Sequence, residues 1–329
     1  MTMKKTIGIL TSGGDAPGMN AAIRAIVLSA TKLDYNCIGF LHGYNGLIDG
    51  EYCVLQPDDV QDIIHKGGTL LKSARCPRMH QPIGITQAVN TLQKAKVDSL
   101  IVIGGDGSFN GLLSLSAQWQ GQVIGIPGTI DNDVDGTDFT IGYSTAINTA
   151  INAIDKIRDT ANAFDRVFIV EVMGRHSGHI AFSVGIATAA EKILSFETFN
   201  TNNQADIVNE IITEINLVKE NKDRSYIIVL AENLWPGGLI ALSDTLKSNG
   251  EIDSASCVLG HIQRGGAPVA KDRILATKLG SGAVQAIQEG KSNVMLGEQA
   301  DSIVLISLSE TIKHQKHVSN ALLSVYDAI

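Results

Sequence analysis

Residues 100–108, Leu-Ile-Val-Ile-Gly-Gly-Asp-Gly-Ser, give the strongest indication of the fold, because an apolar run there gives way to glycines and a carboxylate. A second apolar run, residues 123–126, is followed by Pro-Gly-Thr-Ile-Asp-Asn-Asp at residues 127–133. Such runs are typical of buried parallel strands, and parallel sheets place their ligand sites at the carboxyl ends of the strands. Glycines there let a phosphate reach backbone N–H groups, and the aspartates can hold Mg²⁺ or accept a proton. The combination predicts phosphoryl transfer, against the alternative of two ordinary strand-to-helix turns.

A calcium-binding loop is an alternative interpretation of residues 131–142. Asp131, Asp133 and Asp135 are spaced as in such a loop, which also requires a glutamate at its twelfth position. Gly142 occupies that position, and a predicted strand rather than a helix precedes Asp131. The sequence therefore excludes the calcium loop.

Strand-like and helix-like patterns alternate along the whole chain. Strands are predicted at residues 6–11, 36–41, 98–104, 122–127, 166–172, 225–231 and 256–260. Helices are predicted at residues 18–31, 58–65, 84–95, 143–161, 204–220, 237–248 and 268–288. This alternation predicts an α/β protein whose parallel sheets are covered by helices on both faces.

Composition narrows the class of protein. The 329 residues are 44% hydrophobic and 18% charged, which is typical of a soluble globular protein, and the length favours two lobes. The net charge of −8 argues against a nucleic-acid-binding surface. No apolar stretch is long enough to span a membrane, and the four cysteines include no C-x-x-C pair. The expected location is the cytoplasm.

Taken together, the motifs resemble those of bacterial ATP-dependent 6-phosphofructokinases almost end to end. The resemblance is carried by residues 11–20, by the two segments quoted above, and by residues 171–175 and 260–266. It implies two doubly wound, mostly parallel sheet lobes with the active site between them. A nucleotide-binding lobe would hold residues 1–142 and 263–313, and a sugar-phosphate lobe would hold residues 143–262 and 314–329.

The resemblance also implies an activity. ATP would phosphorylate fructose 6-phosphate to fructose 1,6-bisphosphate, a step of glycolysis, with Mg²⁺ as cofactor and a homotetramer as the assembly. One group of residues would bind the nucleotide: Gly14, Arg75, Cys76, Gly105, Asp106, Gly107 and Ser108. Among these, Asp106 would carry Mg²⁺ and Arg75 would contact the ATP phosphates.

The first glycine-rich segment, residues 13–18, follows a predicted strand and opens a helix. It can therefore present N–H groups to phosphate. It is not a Walker A loop, because Met19-Asn20 replaces the required Lys-Ser or Lys-Thr pair. Without the resemblance, a plain tight turn would explain it equally well.

Phosphoryl transfer to a primary hydroxyl requires removal of the hydroxyl proton as the bond to phosphorus forms. A carboxylate within hydrogen-bond reach can do this. The resemblance assigns the role of general base to Asp131 and the orientation of the substrate to Thr129. Arg175 would stabilise charge on the transferring phosphoryl group.

The resemblance implies a set of substrate-binding residues, namely Thr129, Asp131, Arg166, Met173, Gly174, Arg175, Glu232, His261 and Arg264. Arginine pairs with phosphate oxygens in a bidentate way, glutamate suits sugar hydroxyls, and histidine can donate to phosphate. Taken alone, each arginine would be a surface ion pair and Met173 a core residue. Arg166 would reach the site of a neighbouring subunit, which implies an oligomer.

Two glycines bear on the choice of phosphoryl donor. The resemblance implies that relatives using pyrophosphate carry aspartate at the position of Gly107 and lysine at that of Gly128. This chain has glycine at both positions. ATP is therefore the predicted donor.

The chain departs from the family pattern in two places around the site. Cys76 and His80 replace a phenylalanine and an arginine beside the nucleotide, and Ala255 replaces an arginine that reaches the substrate phosphate across a subunit interface. Two alternatives therefore stay open: a kinase of the same fold acting on another sugar phosphate, and a weakly catalytic regulatory subunit. Retention of Asp131 and Arg175 argues against the second, because a regulatory subunit needs no base.

A third departure concerns regulation. Bacterial members of the family bind ADP or phosphoenolpyruvate between subunits on a cluster of basic residues. Arg24 and Arg158 match two members of that cluster, but Leu28, Asn221 and Asp223 replace others. A pocket that exchanges cations for Leu, Asn and Asp attracts polyphosphate weakly. Little response to these effectors is predicted.

Overall fold

The structure is a computed structural model that describes residues 4–164, 166–220 and 225–328. The chain divides into two units. The first contains the residues up to Ile130, together with Val134–Thr145 and Arg264–Lys316. The second contains Asp131–Asp133, Ala146–Gln263 and the residues from His317 onward.

Strands and helices alternate in sequence, as predicted. The strands are β1 (Thr6–Thr11), β2 (Asn36–Phe40), β3 (Tyr52–Leu55), β4 (Ser99–Gly104), β5 (Gln122–Thr129), β6 (Ile141–Gly142), β7 (Val167–Val172), β8 (Lys192–Leu194), β9 (Tyr226–Ala231), β10 (Ser254–Val258), β11 (Val294–Gln299) and β12 (Ser302–Ser307). The helices are α1 (Met19–Lys32), α2 (Tyr44–Asp49), α3 (Pro82–Lys94), α4 (Asp106–Ser116), α5 (Tyr143–Phe164), α6 (His179–Ala187), α7 (Gln204–Glu220), α8 (Gly238–Gly250), α9 (Ala270–Gln288), α10 (Leu308–Thr311) and α11 (Asn320–Ala328). Short 3₁₀ helices lie at Pro57–Val60, Pro77–His80, Thr201–Asn203 and Gly260–Arg264.

The first unit is built on an eight-stranded sheet in the order β12-β11-β5-β4-β1-β2-β3, with β6 paired to the end of β5. All pairings are parallel except those of the two edge strands, β3 and β12. From the central strand β1 the chain moves to β2 on one side and later returns to β4 on the other. The direction of winding therefore switches between β1 and β4, which is where open α/β sheets bind their ligands.

The second unit is built on a four-stranded, fully parallel sheet in the order β10-β7-β9-β8. Its winding switches between β7 and β10, because β9 and β8 lie on one side of β7 and β10 lies on the other. All residues of β9 are buried, as are all residues of β4 in the first sheet. The prediction of an α/β fold with two mostly parallel sheets is confirmed.

Close helix packing covers the first sheet. Helices α1 and α9 pack against each other and against strands of this sheet. A Cβ added at Gly280 of α9 would lie 2.6 Å from the backbone oxygen of Ala22 in α1. The two helices thus approach so closely that only glycine fits at this contact.

Two predicted elements differ from the observed ones. The predicted helix 58–65 is wrong beyond the 3₁₀ turn Pro57–Val60; Val60 and Ile63 are both buried, and this spacing of three imitates a helix. The predicted strand 256–260 is shifted, because β10 ends at Val258 and Gly260 takes a left-handed φ of 51° that opens a 3₁₀ turn. Among the residues described here, every helix is too short or too polar to cross a bilayer.

Candidate active site

The first glycine-rich loop joins β1 to α1 at the switch point of the first sheet. The backbone N–H of Ser12 donates to the carbonyl of Ile103 at 2.9 Å, so the loop starts directly beside the end of β4. Arg264 lies on this loop: its Nη1 donates to the carbonyl of Asp15 at 3.2 Å and stands 2.6 Å from where a Cβ of Gly14 would be. Gly14 therefore needs to be glycine to admit the guanidinium.

A second segment, carrying Arg75, is fastened to the first loop. The hydroxyl of Ser73 donates to the carbonyl of Gly13 at 2.8 Å, and the N–H of Gly13 donates to the carbonyl of Ala74 at 3.4 Å. Arg75 itself is exposed, and Cys76 follows it half-buried at the start of the 3₁₀ turn. The nucleotide residues predicted from these two distant stretches of sequence thus share one loop cluster.

Asn20 braces the beginning of the same segment. Its side-chain amide donates to the carbonyls of Lys66 and Gly67 at 3.1 and 3.2 Å, and its Oδ1 accepts from the N–H of Leu70 at 2.7 Å. Asn20 is 4% exposed. Sequence reasoning placed it in a motif but gave it no role, although it holds the loop that leads to Arg75.

The second glycine-rich loop follows β4, on the other side of the switch point. Gly105 is extended, and Asp106 is the first residue of α4, so the N–H groups of that helix are directed to the loop. Ser108 is buried, and its carbonyl accepts from the hydroxyl of Tyr44 at 2.7 Å. A Cβ placed on Gly105 would lie 3.7 Å from Cβ of Thr129, which brings the predicted substrate-orienting threonine beside the phosphate loop.

The two glycines relevant to the phosphoryl donor have different surroundings. An added Cβ at Gly107 would have no described atom within 4 Å, so the position opens onto free space. An added Cβ at Gly128 would lie 2.8 Å from Cγ2 of Ile103 and 3.2 Å from Cε of Met19. A larger side chain fits at position 107 without strain, whereas one at position 128 requires repacking.

The carboxylate predicted to carry Mg²⁺ is Asp106. Mg²⁺ is usually held by one or two carboxylates together with substrate phosphates. Within the described ranges, no group of three or more His, Cys, Asp or Glu side chains could hold a metal ion by itself. The half-buried Asp106, at a helix N-terminus next to the open Gly107, fits the arrangement in which the nucleotide supplies the other ligands.

In the second unit, Asp131 lies with the loop that follows β7. It is 6% exposed, and its carbonyl accepts from the hydroxyl of Ser177 at 3.1 Å. Ser177 is itself buried, and its N–H donates to the carbonyl of Gly174 at 3.0 Å. The predicted base and the loop of Arg175 are therefore connected through Ser177, a residue that the motifs did not single out.

The carboxyl edge of the second sheet gathers most of the predicted sugar-phosphate residues. Met173, Gly174 and Arg175 follow β7, Glu232 follows β9, and His261 comes shortly after β10. Arg175 and His261 are exposed. Met173 is 7% exposed, which agrees with the alternative interpretation that it is a core residue.

Electrostatics at this edge centre on two carboxylates. Glu232 accepts from the N–H groups of Gly174 and Arg175 at 3.2 and 2.8 Å. Glu171, at the end of the neighbouring strand β7, has a pKa raised by burial and then by the charge of Glu232. Burial and the neighbouring charge therefore both favour the neutral form of the Glu171 carboxyl.

Arg166 is not brought to this edge. It directly precedes β7 and therefore lies at the amino end of the sheet, with its guanidinium over the ring of Phe164 at 5.2 Å. Ala255 pairs with Phe168 near the start of β10, so it belongs to the same amino end. The two positions that the resemblance assigned to a neighbouring subunit thus lie together, away from the other substrate residues of this unit.

Comparison with known proteins gives a consistent result. The family described as Phosphofructokinase matches residues 6–287. The chain is 46% identical over 320 residues to ATP-dependent 6-phosphofructokinase 1 of Thermus thermophilus, covering 97% of both chains. It is 47% identical over 312 residues to the ATP-dependent 6-phosphofructokinase of Clostridioides difficile, covering 95% of both.

Solved structures agree. Phosphofructokinase from Saccharomyces cerevisiae superposes with a TM-score of 0.86 at 33% identity, over 99% of this chain and 46% of the yeast chain, so this chain spans less than half of that protein's length. A pyrophosphate-dependent phosphofructokinase from Marinobacter aquaeolei superposes with a TM-score of 0.81 at 22% identity, over 96% of this chain and 86% of the other, which supports the fold alone. The resemblance predicted from the motifs is confirmed, and the chain belongs to the phosphofructokinase family.

Proposed function

We propose that the chain is an ATP-dependent 6-phosphofructokinase that converts fructose 6-phosphate to fructose 1,6-bisphosphate, with Mg²⁺ bound together with the nucleotide. The observation that carries the proposal is the pair of glycine-rich loops at the switch point between β1 and β4, with Thr129 beside the second loop. The names of the relatives in Thermus and Clostridioides support the same reaction.

The chain's own residues divide the work of the reaction. Asp131 takes the proton of the sugar 1-hydroxyl while the hydroxyl oxygen bonds to the γ-phosphorus and the bond from that phosphorus to the ADP oxygen breaks. Thr129 orients the sugar, and Arg175 stabilises the charge that develops on the transferring oxygens. Mg²⁺ held by Asp106 would neutralise phosphate charge.

The nucleotide and the sugar phosphate are bound by separate groups of residues. ATP is bound by Gly14, Arg75, Cys76, Gly105, Asp106, Gly107 and Ser108. Met173, Gly174, Glu232, His261 and Arg264 bind the sugar phosphate, and Arg166 acts in the site of a neighbouring subunit. Because Arg166 acts across a subunit interface, the assembly is an oligomer, for which the family resemblance implies a homotetramer; the expected location is the cytoplasm, with neither nucleic acid nor membrane as a partner.

A second candidate is a kinase of the same fold that phosphorylates a different sugar phosphate. One observation favours it: Ala255, near the start of β10, has no charge to offer the substrate phosphate. The other substrate residues of the family pattern are retained, which is why fructose 6-phosphate remains the first choice.

The experiment is an assay of the purified protein with Mg²⁺, a phosphoryl donor and a panel of sugar phosphates. We expect ATP with fructose 6-phosphate to give the highest kcat/KM, pyrophosphate to give no product, and chelation of Mg²⁺ to abolish turnover reversibly. Comparable rates with pyrophosphate would contradict the assigned donor. A higher kcat/KM for another sugar phosphate would favour the second candidate.

A further inference from the structure

The turn that carries Arg175 has an unusual backbone. Gly174 has a φ of 141° and Arg175 a φ of 60°, the left-handed region that residues with a Cβ adopt uncommonly. A Cβ on Gly174 would lie 2.7 Å from the carbonyl oxygen of Ser177, so the turn is tightly closed. Such a conformation persists only where the surroundings hold it.

The amide side of the turn is held by two side chains. Oε1 of the fully buried Gln263 accepts from the N–H of Met173 at 2.8 Å. Oε1 of Glu232 accepts from the N–H groups of Gly174 and Arg175 at 3.2 and 2.8 Å. Three consecutive N–H groups therefore have fixed acceptors, and the peptide plane before Arg175 cannot rotate freely.

The carbonyl side is held by the residue next to Glu232. The side-chain amide of Asn233 donates to the carbonyl oxygen of Arg175 at 3.2 Å. Asn233 itself has a φ of 61°, a conformation that asparagine tolerates better than most residues. The peptide planes before and after Arg175 are thus both fastened to the end of β9.

We propose that Asn233 is a positioning residue for Arg175, and that Glu232 shares this task in addition to its contact with the sugar. The inference rests on the proposed function, in which Arg175 stabilises the transferring phosphoryl group. Fixing both peptide planes fixes the direction in which the Arg175 side chain leaves the backbone. The more closely this direction matches the one that the transition state requires, the less the guanidinium has to reorganise when the transition state forms.

Loss of this bond is expected to appear in turnover rather than in binding, because Asn233 acts through a group that matters most in the transition state. Asn233→Gly removes the donor and keeps the left-handed backbone, and Asn233→Asp replaces the donor by an acceptor at the same size. We expect kcat to fall about three- to tenfold for Asn233→Gly, the size of one ordinary hydrogen bond, and further for Asn233→Asp. KM for ATP and the thermal unfolding midpoint should change little.

A matched control is available at Asn293. It is also exposed and left-handed, with a φ of 56°, and its side chain makes no hydrogen bond with the residues described. Asn293→Gly should leave kcat unchanged. This control separates the effect of the lost donor from the general effect of an added glycine.

A double-mutant cycle with Arg175→Ala decides whether Asn233 acts through Arg175. With the guanidinium absent, Asn233→Gly should cause no further loss of kcat. The inference would be overturned if Asn233→Gly kept the kcat of the unmodified protein. It would also be overturned if Asn233→Gly lowered kcat further in the Arg175→Ala background. An unmodified protein without activity toward ATP and fructose 6-phosphate would overturn the proposed function, and this inference with it, before any variant is measured.

Discussion

Among single residues, Asp131, the proposed general base, is largely shielded from solvent. Asp131 is 6% exposed and its backbone is held by Ser177. Asp131→Asn has nearly the same shape but cannot take a proton. We expect turnover to fall by roughly two to four orders of magnitude, the usual contribution of a general base.

The control for this substitution is nucleotide binding. Because Asn preserves the size and the backbone contacts, ATP binding measured by calorimetry and the unfolding midpoint should match those of the unmodified protein. An Asp131→Asn variant that keeps most of its turnover would mean that another group removes the proton.

Gly14 allows a second test. It is predicted to bind the nucleotide, but it packs against Arg264, which is predicted to bind the sugar phosphate. A Cβ at Gly14 would collide with Nη1 of Arg264, the movable end of a long side chain. Gly14→Ala should therefore displace the guanidinium without unfolding the chain. If Arg264 binds the sugar phosphate, KM for fructose 6-phosphate should rise about tenfold, as for loss of a charge-assisted hydrogen bond.

Gly105→Ala is the matched control, because its added Cβ would meet only Thr129 at ordinary contact distance. Its added Cβ does not approach Arg264, so KM for fructose 6-phosphate should change less than in Gly14→Ala. In an Arg264→Ala background, Gly14→Ala should no longer affect KM for fructose 6-phosphate. An effect on KM for fructose 6-phosphate that survives there would mean that Gly14 does not act through Arg264.

Among the elements, strand β10 allows a test of whether a single position near the start of a strand sets affinity for the substrate. Ala255 lies at the amino end of the second sheet, the same end as Arg166. A charge-assisted bond to phosphate contributes about 1.5–3 kcal/mol. Ala255→Arg is therefore expected to lower KM for fructose 6-phosphate about ten- to a hundredfold, with kcat less affected, because the phosphate is remote from the reacting hydroxyl.

Ser256→Arg provides the comparison, since the neighbouring strand residue is exposed and its side chain points to the opposite face of the sheet. It adds the same charge and should leave KM unchanged. If Ala255→Arg raises KM while another sugar phosphate is the better substrate, the strand serves a different ligand and the second candidate function is favoured.

The elements that the sequence predicted correctly are those with continuous apolar runs or long amphipathic patterns. β4 and β9 are buried along their whole length, and α5 is a long helix, so their patterns are strong. The edge strands β3 and β12 were not predicted, although residues 52–55 and 303–306 are continuous apolar runs; most of their residues are exposed or half-buried because each strand has a neighbour on one side only. Burial alone did not make an element predictable: α6 is largely buried and was not predicted either, because it is apolar on nearly all sides and shows no helical period.

The candidate site could likewise be predicted from the sequence only in part. The glycine-rich loops are contiguous in sequence and could be predicted, whereas buried residues that hold distant parts of the chain in place act across long separations. Asp272 is an example: it is fully buried and accepts from the N–H groups of Gly142 and Thr145, at 3.0 and 2.7 Å, at the start of α5. Nothing near Asp272 in the sequence indicates a partner that lies well over a hundred residues away.

At the scale of the whole molecule, the basic cluster predicted for effectors is weakened further by the fold. Arg158 is bound within its own unit: Nη1 donates to Glu191 at 2.9 Å, and Nη2 donates to the carbonyls of Thr188 and Ala189 at 3.0 and 2.8 Å. Glu191 in turn accepts from the N–H of Ile227 at 2.7 Å. One of the two matching arginines is therefore already paired with a carboxylate and hydrogen-bonded to two carbonyl groups.

The residues that replace cations in this cluster also predict weak binding of effectors. Leu28 is a half-buried residue of α1, where a cation would be needed to hold a phosphate. Asn221 and Asp223, the other replacements, lie outside the described residues, so their contribution rests on the sequence alone. Together these features leave ADP and phosphoenolpyruvate with few cations to bind.

An effector shifts a conformational equilibrium only by the difference in its affinity for the two states, so a ligand that hardly binds shifts nothing. We therefore expect the saturation curve for fructose 6-phosphate to be unchanged by ADP or phosphoenolpyruvate, apart from competition by ADP at the ATP site. The measurement is initial rate against fructose 6-phosphate at several effector concentrations, with ATP held saturating so that this competition is removed. A sigmoidal curve made hyperbolic by ADP would contradict the prediction, since it would require a pocket that binds polyphosphate despite Leu28 and the ion pair of Arg158.

Glu191→Gln is the complementary experiment, because removing the carboxylate leaves the charge of Arg158 unpaired. A response to ADP that appears only in this variant would identify the ion pair as the reason for the insensitivity.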